Sequence, residues 1–233
     1  MTLKVISSQE RSKPLKAETS SRIQAKAKYE RLWLQRSKRL AKELLQEEKL
    51  IDLLQPIRGK KALDLGCGAG EVAKFLAKNG MQVDAVDVAT GPLKELQGVG
   101  NLHTIEGFVP YAPLEEGVYD LVVAANLIAE VPKELRRLAM SQIAGLVKTE
   151  GIVVISTPLD VNSEDVLELF LGLVMTELEI ESVVVSHFWL NQKVPFLKTH
   201  RGFQTWLEKV SEFLSPEDGV TDVIVKGTLR NCL

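Results

Sequence analysis

The sequence is poor in the features that mark secreted, disulfide-stabilised and membrane-spanning proteins. It has 2 cysteines and 3 histidines in 233 residues, and neither cysteine has a second Cys or His at metal-ligand spacing. No apolar run reaches the length of about 18 residues that a membrane span needs, and the polar N-terminus lacks the hydrophobic segment of a secretory signal. No internal repeat or Gly/Ser linker divides the chain. We therefore expect a cytoplasmic protein with reduced thiols, no metal site and no membrane span.

The charges that are present are unevenly distributed. The net charge is -2, yet residues 1–42 contain twelve Lys or Arg and only three acidic residues, so the remainder is strongly acidic. A basic arm of this kind is typical of proteins that bind RNA, acyl carrier protein or a phospholipid surface. It is also typical of a solvated tail that leads into an ordinary surface helix. Composition leaves both interpretations open.

Beyond residue 56, short apolar runs alternate with helical patterns. The runs predict strands near 61–65, 82–87, 102–105, 119–125 and 151–156, with helices after the first, second, fourth and fifth. The last third predicts a helix over 164–176, a strand over 180–188, a helix over 202–214 and a strand over 221–229. This order indicates an α/β fold with a doubly wound parallel sheet over residues 56–233. A flexible basic leader over 1–20 and an amphipathic helical extension over 21–55 precede it.

A glycine-rich turn follows the first predicted strand. Gly66, Gly68 and Gly70 come directly after the run ALDL and before a helical stretch, the place where α/β folds accept nucleotides. A dinucleotide fingerprint would need its third glycine at position 71, which is Glu71. Asp64 suits an ammonium group and would repel a pyrophosphate. Asp87 ends the second predicted strand, where a carboxylate can accept the two hydroxyls of a ribose.

These motifs resemble those of the class I S-adenosylmethionine-dependent methyltransferases over residues 58–160. LDLGCGAG resembles the family's first motif, and VDVA with Asp87 resembles the second. TIEGFVPYAPLEEGVYDLVVAANLIAEV resembles the third motif and the strand that follows it, and LVKTEGIVVIS resembles the turn into the fifth strand. The resemblance implies a Rossmann-like, seven-stranded sheet of order 3-2-1-4-5-7-6 with an antiparallel last strand. It also implies S-adenosylmethionine as the cofactor.

The resemblance further implies a set of cofactor-binding residues. Asp64 would lie near the methionine ammonium through backbone or water, Asp87 would hold the ribose, and Val88 would flank the adenine. The full set is Asp64, Gly66, Cys67, Gly68, Ala69, Gly70, Asp87, Val88, Phe108, Val109, Asn126 and Leu127. The third motif departs from the family pattern, because Phe108 stands where many members have an acid for the adenine amino group. Contact with adenine there would come from the backbone of Phe108 and Val109.

The methyl acceptor is harder to predict. Transfer from a sulfonium is an in-line displacement with a neutral leaving group, so alignment matters more than acid–base chemistry. The resemblance places the acceptor side at residues 126–129, and Glu130 stands where small-molecule members often have a His. Glu130 is therefore the candidate catalytic residue, to accept or orient a substrate proton, although a solvated residue opening a helix needs no such role. The segment has neither the Asn/Asp-Pro-Pro-aromatic signature nor a cysteine, which argues against two nucleic-acid methyltransferase subclasses.

Two regions are candidates for a lid over the site. One is the N-terminal helix with Tyr29 and Trp33, and the other is the aromatic region from His187 to Trp206. The alternative is that these aromatic residues form the core of an added helix. His187 and His200 are candidate bases or surface residues. The predicted function is a methyltransferase for a small or carrier-bound metabolite. The alternatives are a tRNA or rRNA methyltransferase that uses the basic arm, and a non-catalytic relative that binds the cofactor.

Overall fold

The computed structural model describes residues 16–34, 50–51, 53–55, 57–160, 164–185, 188–190 and 220–230. Its helices are α1 (Lys16–Leu34), α2 (Glu71–Lys78), α3 (Thr90–Glu95), α4 (Leu127–Glu130), α5 (Arg136–Leu146) and α6 (Glu164–Glu177), with a 3₁₀ turn at Lys133–Leu135. Its strands are β1 (Lys61–Leu65), β2 (Gln82–Asp87), β3 (Leu102–Glu106), β4 (Tyr119–Ala124), β5 (Val147–Asp160), β6 (Leu178–Val185), β7 (Phe188–Leu190) and β8 (Val220–Leu229).

The strands form one mixed sheet of order β3-β2-β1-β4-β5-β8-β6-β7. The first five strands are parallel, and β8 lies antiparallel between β5 and β6. Apart from the three-residue edge strand β7, this is the predicted seven-stranded order with its antiparallel last strand, and the fold prediction is confirmed. The predicted strand over 180–188 is in fact the end of β6 and the start of β7, which pair antiparallel.

Some boundaries differ from the prediction. Strand β5 runs over residues 147–160 rather than 151–156, and its register with β4 shifts between Tyr119 and Leu121. A methyl group on Gly151 would lie 3.0 Å from the Tyr119 carbonyl oxygen, so the two backbones approach closely at this irregularity. Helix α1 begins at Lys16, inside the stretch predicted as flexible leader. The predicted helix over 202–214 lies outside the described residues.

Alternation along the strands builds a core on each face of the sheet. Leu63 and Leu65 are fully buried on the face covered by α5 and α6. Ala62 and Val123 are buried on the opposite face, against α2. Each large apolar side chain buried in this way contributes about 2 kcal/mol. The sheet therefore holds β1 and β4 as a rigid central pair, and the chain reverses its direction of winding between them, which is where open α/β sheets bind ligands.

Candidate cofactor-binding site

The glycine turn between β1 and α2 is held against the end of β2. Gly66, Gly68 and Gly70 have φ of 70°, 49° and 72°, a left-handed backbone that side chains disfavour. The N–H groups of Gly66 and Cys67 donate to the Val86 carbonyl oxygen at 2.8 and 2.9 Å. A methyl group on Gly68 would meet no atom within 4 Å. The turn thus presents open space beside its middle glycine.

Asp87 joins this turn to the segment after β2. Its Oδ2 accepts the Gly68 N–H at 3.0 Å and its Oδ1 accepts the Ala89 N–H at 2.8 Å. Burial raises the pKa of Asp87 above its ordinary value, against the N–H donors of Ala89, Gly68 and Val88, which act to lower it. The carboxylate is therefore fixed by backbone donors at the carboxyl edge of the sheet, between the predicted residues of the first two motifs.

Asp64 lies deeper than the sequence suggested. It is 2% exposed, and its Oδ2 accepts the Ala73 N–H in the first turns of α2 at 3.0 Å. Burial, together with the charges of Asp64 and Asp87, raises the pKa of the neighbouring Cys67 thiol far above its usual range. The thiol is accordingly protonated, and both acids make the surroundings of the turn favourable to a cation.

The third motif closes the site from the side of β3. The Gly107 N–H donates to the Asp87 carbonyl oxygen at 3.0 Å, and a methyl group on Gly107 would lie 2.9 Å from Val86 Cγ1. Phe108 and Val109 are 8% and 5% exposed. The Phe108 ring stacks on Tyr111, with 6.4 Å between the ring centroids. An aromatic residue, Phe108, thus stands where many members of the resembled family have an acid.

The end of β4 brings the fourth group of predicted residues to the turn. Asn126 has a left-handed φ of 55°, which asparagine tolerates, and its N–H donates to the Ser156 carbonyl oxygen at 3.0 Å. The Ser156 hydroxyl donates to Asn126 Oδ1 at 3.3 Å. A methyl group on Gly66 would lie 3.1 Å from Leu127 Cδ1, so the two loops are in contact. The structure thereby brings the turn, Asp87, Gly107 and Leu127 together at one edge of the sheet.

Helix α1 packs on the segment that follows Asp87. One Glu30 carboxylate oxygen accepts both the N–H and the hydroxyl of Thr90 at 2.7 Å. The two hydrogen bonds from Thr90, with lesser contributions from the Gly91 N–H and the Lys26 ammonium, lower the pKa of Glu30 against the opposing effect of burial. A methyl group on Gly91 would lie 2.6 Å from Trp33 Cδ1. The sequence analysis missed Glu30 and Thr90, because they lie sixty positions apart and no local pattern links them.

Basic residues of α1 pair with acids at the ends of β3 and α4. Lys26 Nζ lies 2.6 Å and Arg22 3.5 Å from a Glu106 carboxylate oxygen. Lys28 Nζ lies 2.5 Å from Glu130, the candidate catalytic residue, whose side chain is 44% exposed. The helix that carries Tyr29 and Trp33 therefore reaches three of the loops that form the candidate site.

The remaining histidines do not contribute to the described site. The His103 side chain, for which the sequence predicts no role, is 73% exposed and lies 3.2 Å from Asp84 in the strand region. His187, His200 and residues 191–206 lie outside the described residues, whereas Phe188 and Trp189 belong to β7. Within the described ranges, no group of three His, Cys, Asp or Glu side chains could hold a metal ion. No helix of those ranges is long and apolar enough to cross a membrane.

Comparison with known proteins identifies the fold and its central domain. Residues 62–151 match the family described as "Methyltransferase domain". A TehB-like SAM-dependent methyltransferase from Corynebacterium glutamicum superposes with a TM-score of 0.61 at 21% identity, over 88% of this chain and 100% of that one. Residues 62–151 therefore form a methyltransferase domain, and the chain has the fold of the S-adenosylmethionine-dependent methyltransferase that it superposes on. N-methyltransferase NodS from Bradyrhizobium japonicum shares the fold, with a TM-score of 0.58 at 14% identity over 91% of this chain and 98% of that one.

Curated relatives match a shorter stretch. A ubiquinone biosynthesis O-methyltransferase of Burkholderia ambifaria is 35% identical over 117 residues, which is 46% of this chain and 48% of that protein. The protein of the same name in Burkholderia thailandensis is 34% identical over the same length. The chain thus spans about half the length of the curated relatives it matches.

Proposed function

We propose that this protein is a class I methyltransferase that transfers the methyl group of S-adenosylmethionine to a small or carrier-bound metabolite. The names of the matched relatives favour a hydroxyl oxygen as the acceptor. The observation that carries the proposal is the joining of the left-handed glycine turn to Asp87 through the Gly68 N–H, at the edge where β1 and β4 diverge.

The residues at this edge fit the cofactor. Open space beside Gly68 leaves room for a ligand against the turn, and Asp87 provides carboxylate oxygens for ribose hydroxyls. The charges of Asp64 and Asp87 reach Cys67 at the centre of the turn, and they favour a ligand with a sulfonium and an ammonium over a pyrophosphate. Val88, Phe108 and Val109 would flank the adenine, and the remaining predicted residues would line the amino-acid end. Asp64 itself would act through the backbone of the turn, since its carboxylate is buried.

When bound, S-adenosylmethionine supplies an electrophilic methyl group whose transfer needs a nucleophile in line behind it. The rigid end of β4, fixed by Asn126 and Ser156, would align the acceptor. Glu130, at the end of α4 and half-exposed beside Lys28, would orient the acceptor or take up its proton. Replacement by Glu130→Gln would then slow transfer to a hydroxyl and leave cofactor affinity unchanged.

Titration calorimetry with S-adenosylhomocysteine tests the cofactor proposal. Asp87→Ala is expected to weaken binding by about 1.5–3 kcal/mol, the range for a hydrogen bond to a charged group. Glu150→Gln, an exposed change at the opposite edge of the sheet, is the matched control and should bind as the unaltered protein does. Equal binding by Asp87→Ala, or no binding by the unaltered protein, would refute the proposal. Transfer of labelled methyl groups into a fraction of cell extract separates an enzyme from a non-catalytic relative.

The basic residues within positions 1–42 favour a second candidate, an RNA methyltransferase. Three of them, Arg22, Lys26 and Lys28, are paired with acids of the same chain, which reduces the positive charge that α1 offers to phosphates. This candidate predicts that RNA affinity falls steeply with salt and disappears when residues 1–42 are removed. Affinity that is insensitive to both changes would exclude it.

A further inference from the structure

Helix α1 is connected to the nucleoside half of the candidate site through one side chain. The Glu30 carboxylate accepts the Thr90 N–H and the Thr90 hydroxyl, both at 2.7 Å. Thr90 is three residues beyond Asp87. Ala89, which lies between them, donates its N–H to Asp87 Oδ1. Residues 88–90 are therefore held by two carboxylates: Asp87 accepts the Ala89 N–H, and Glu30 accepts the Thr90 N–H and hydroxyl.

The contact with Glu30 caps the first N–H group of helix α3. Its N-cap residue is Ala89, which has no side-chain oxygen, and no side chain of the segment itself forms a capping hydrogen bond. An oxygen brought from α1 takes the place of the missing cap, and the close packing of Trp33 on Gly91 holds α1 and α3 together. A larger residue at position 91 would push α1 away from the segment.

From these contacts we infer that Glu30 is a positioning residue for the cofactor: it fixes residues 88–90, so that the Asp87 carboxylate and the Val88 backbone are held ready for the adenosine. The inference rests on the proposed function, because it concerns the same ligand. Glu30 does not need to touch that ligand. Since binding energies are linked reciprocally, a ligand that requires the ordered segment also strengthens the docking of α1.

The test measures affinity of the full chain for S-adenosylhomocysteine in Glu30→Ala, with Arg31→Ala as control on the exposed side of the same helix. Glu30→Ala is expected to weaken binding about three- to tenfold, as the loss of a capping hydrogen bond would. Glu30→Gln keeps an acceptor oxygen and should restore most of the affinity. Thr90→Val removes only the hydroxyl donor, so its loss should be smaller, and adding it to Glu30→Ala should cost little more.

A role confined to stability would give a different pattern. Glu30→Ala would then lower the melting temperature without ligand while leaving the affinity of the folded protein unchanged, and this outcome would overturn the inference. Tryptophan fluorescence supplies a second measurement. Binding should change the emission of Trp33 where it packs on Gly91, and the change should be absent in Trp33→Phe and reduced in Glu30→Ala. A change that is equal in Glu30→Ala and the unaltered protein would also count against it.

The two proposals fail in distinguishable ways. If the unaltered protein does not bind S-adenosylhomocysteine, the proposed function fails and the role of Glu30 fails with it. If the unaltered protein binds and Glu30→Ala binds within twofold of it, only the role of Glu30 is overturned.

Discussion

Asp87 and Asp120 lie at opposite edges of the same sheet, and each accepts N–H groups from the backbone of two other residues. Asp87, at the carboxyl end of β2, binds the N–H groups of Gly68 and Ala89. Asp120, near the amino end of β4, binds those of Lys60 and Lys61 through one oxygen, at 2.8 and 2.9 Å. The two carboxylates thus accept backbone N–H groups in a similar way at the two ends of the parallel strands.

Their pKa values nevertheless move in opposite directions. Burial is the largest influence on both and acts to raise the pKa. At Asp120 it is outweighed by the Lys148 ammonium at 2.6 Å and by the two N–H donors, which lower the pKa to about 2. At Asp87 burial prevails, and in the described part of the chain no Lys or Arg forms an ion pair with it. The ionised form of Asp120 is therefore stabilised by groups of the fold itself. The ionised form of Asp87 is disfavoured by burial, as expected of a carboxylate at a ligand-binding site.

Two glycines give the sharpest contrast between the edges. A methyl group on Gly59, whose φ is +92°, would lie 2.3 Å from Asp120 Cβ, whereas one on Gly68 would meet nothing within 4 Å. Gly59→Ala is therefore expected to lower the free energy of unfolding by about 3 kcal/mol, from backbone strain and overpacking together. Gly68→Ala should cost only the strain, about 1 kcal/mol.

Affinity should show the reverse order. The methyl group of Gly68→Ala would occupy the space proposed for the ligand, so binding of S-adenosylhomocysteine should fall about tenfold or more. Gly59→Ala should bind normally at temperatures where it is folded. Urea unfolding and calorimetry measure the two effects. Equal destabilisation by the two substitutions, or normal binding by Gly68→Ala, would contradict the proposed difference between Gly59 and Gly68.

Replacing each acid by its amide is expected to affect stability at Asp120 and ligand affinity at Asp87. Asp120→Asn loses the ion pair with Lys148 and should lower the free energy of unfolding by about 1–2 kcal/mol, with no effect on the ligand. Asp87→Asn removes a carboxyl group whose ionisation is disfavoured in the folded protein. Its free energy of unfolding without ligand should stay within about 0.5 kcal/mol or rise, while affinity falls.

The stability contributions of Asp120 and Asp87 are expected to depend on pH in opposite directions. The folded pKa of Asp120 is below its unfolded value of about 3.9, so its contribution to stability is present above that value and is lost as pH falls toward about 2. The folded pKa of Asp87 is raised, so any stability it contributes is present at low pH and is lost as pH rises through that pKa. Unfolding curves of the two variants and the unaltered protein from pH 2 to 7 measure this. Parallel pH profiles for Asp87→Asn and Asp120→Asn would contradict it.

The sequence predicted the part of this arrangement that depends on local pattern. The bounds of β1 and β2, the left-handed turn and the place of Asp87 follow from apolar runs and from glycine at fixed spacing. The contacts of Asp120 with Lys148 and of Glu30 with Thr90 join residues 28 and 60 positions apart, and no periodicity encodes them. The depth of Asp64 was also beyond sequence patterns. Its burial depends on the packing of α2 over β1, and a local sequence pattern does not predict how closely these two elements pack.

The smallest expected effect concerns the ion pair between α1 and the carboxyl edge. Lys28 and Glu130 have side chains that are 50% and 44% exposed, whereas the Asp120 side chain that binds Lys148 is 22% exposed. Water and salt screen the more exposed pair, so Lys28→Ala should lower the free energy of unfolding by about 0.5 kcal/mol or less, and the loss should vanish in 1 M salt. Lys148→Ala should cost more, and part of that cost should survive in salt, because the Asp120 carboxylate would be left with backbone donors alone. Urea unfolding at low and high salt compares them. A larger loss for Lys28→Ala than for Lys148→Ala would mean that the docking of α1, and not the amino-edge cluster around Asp120, is the more tightly coupled part of the fold.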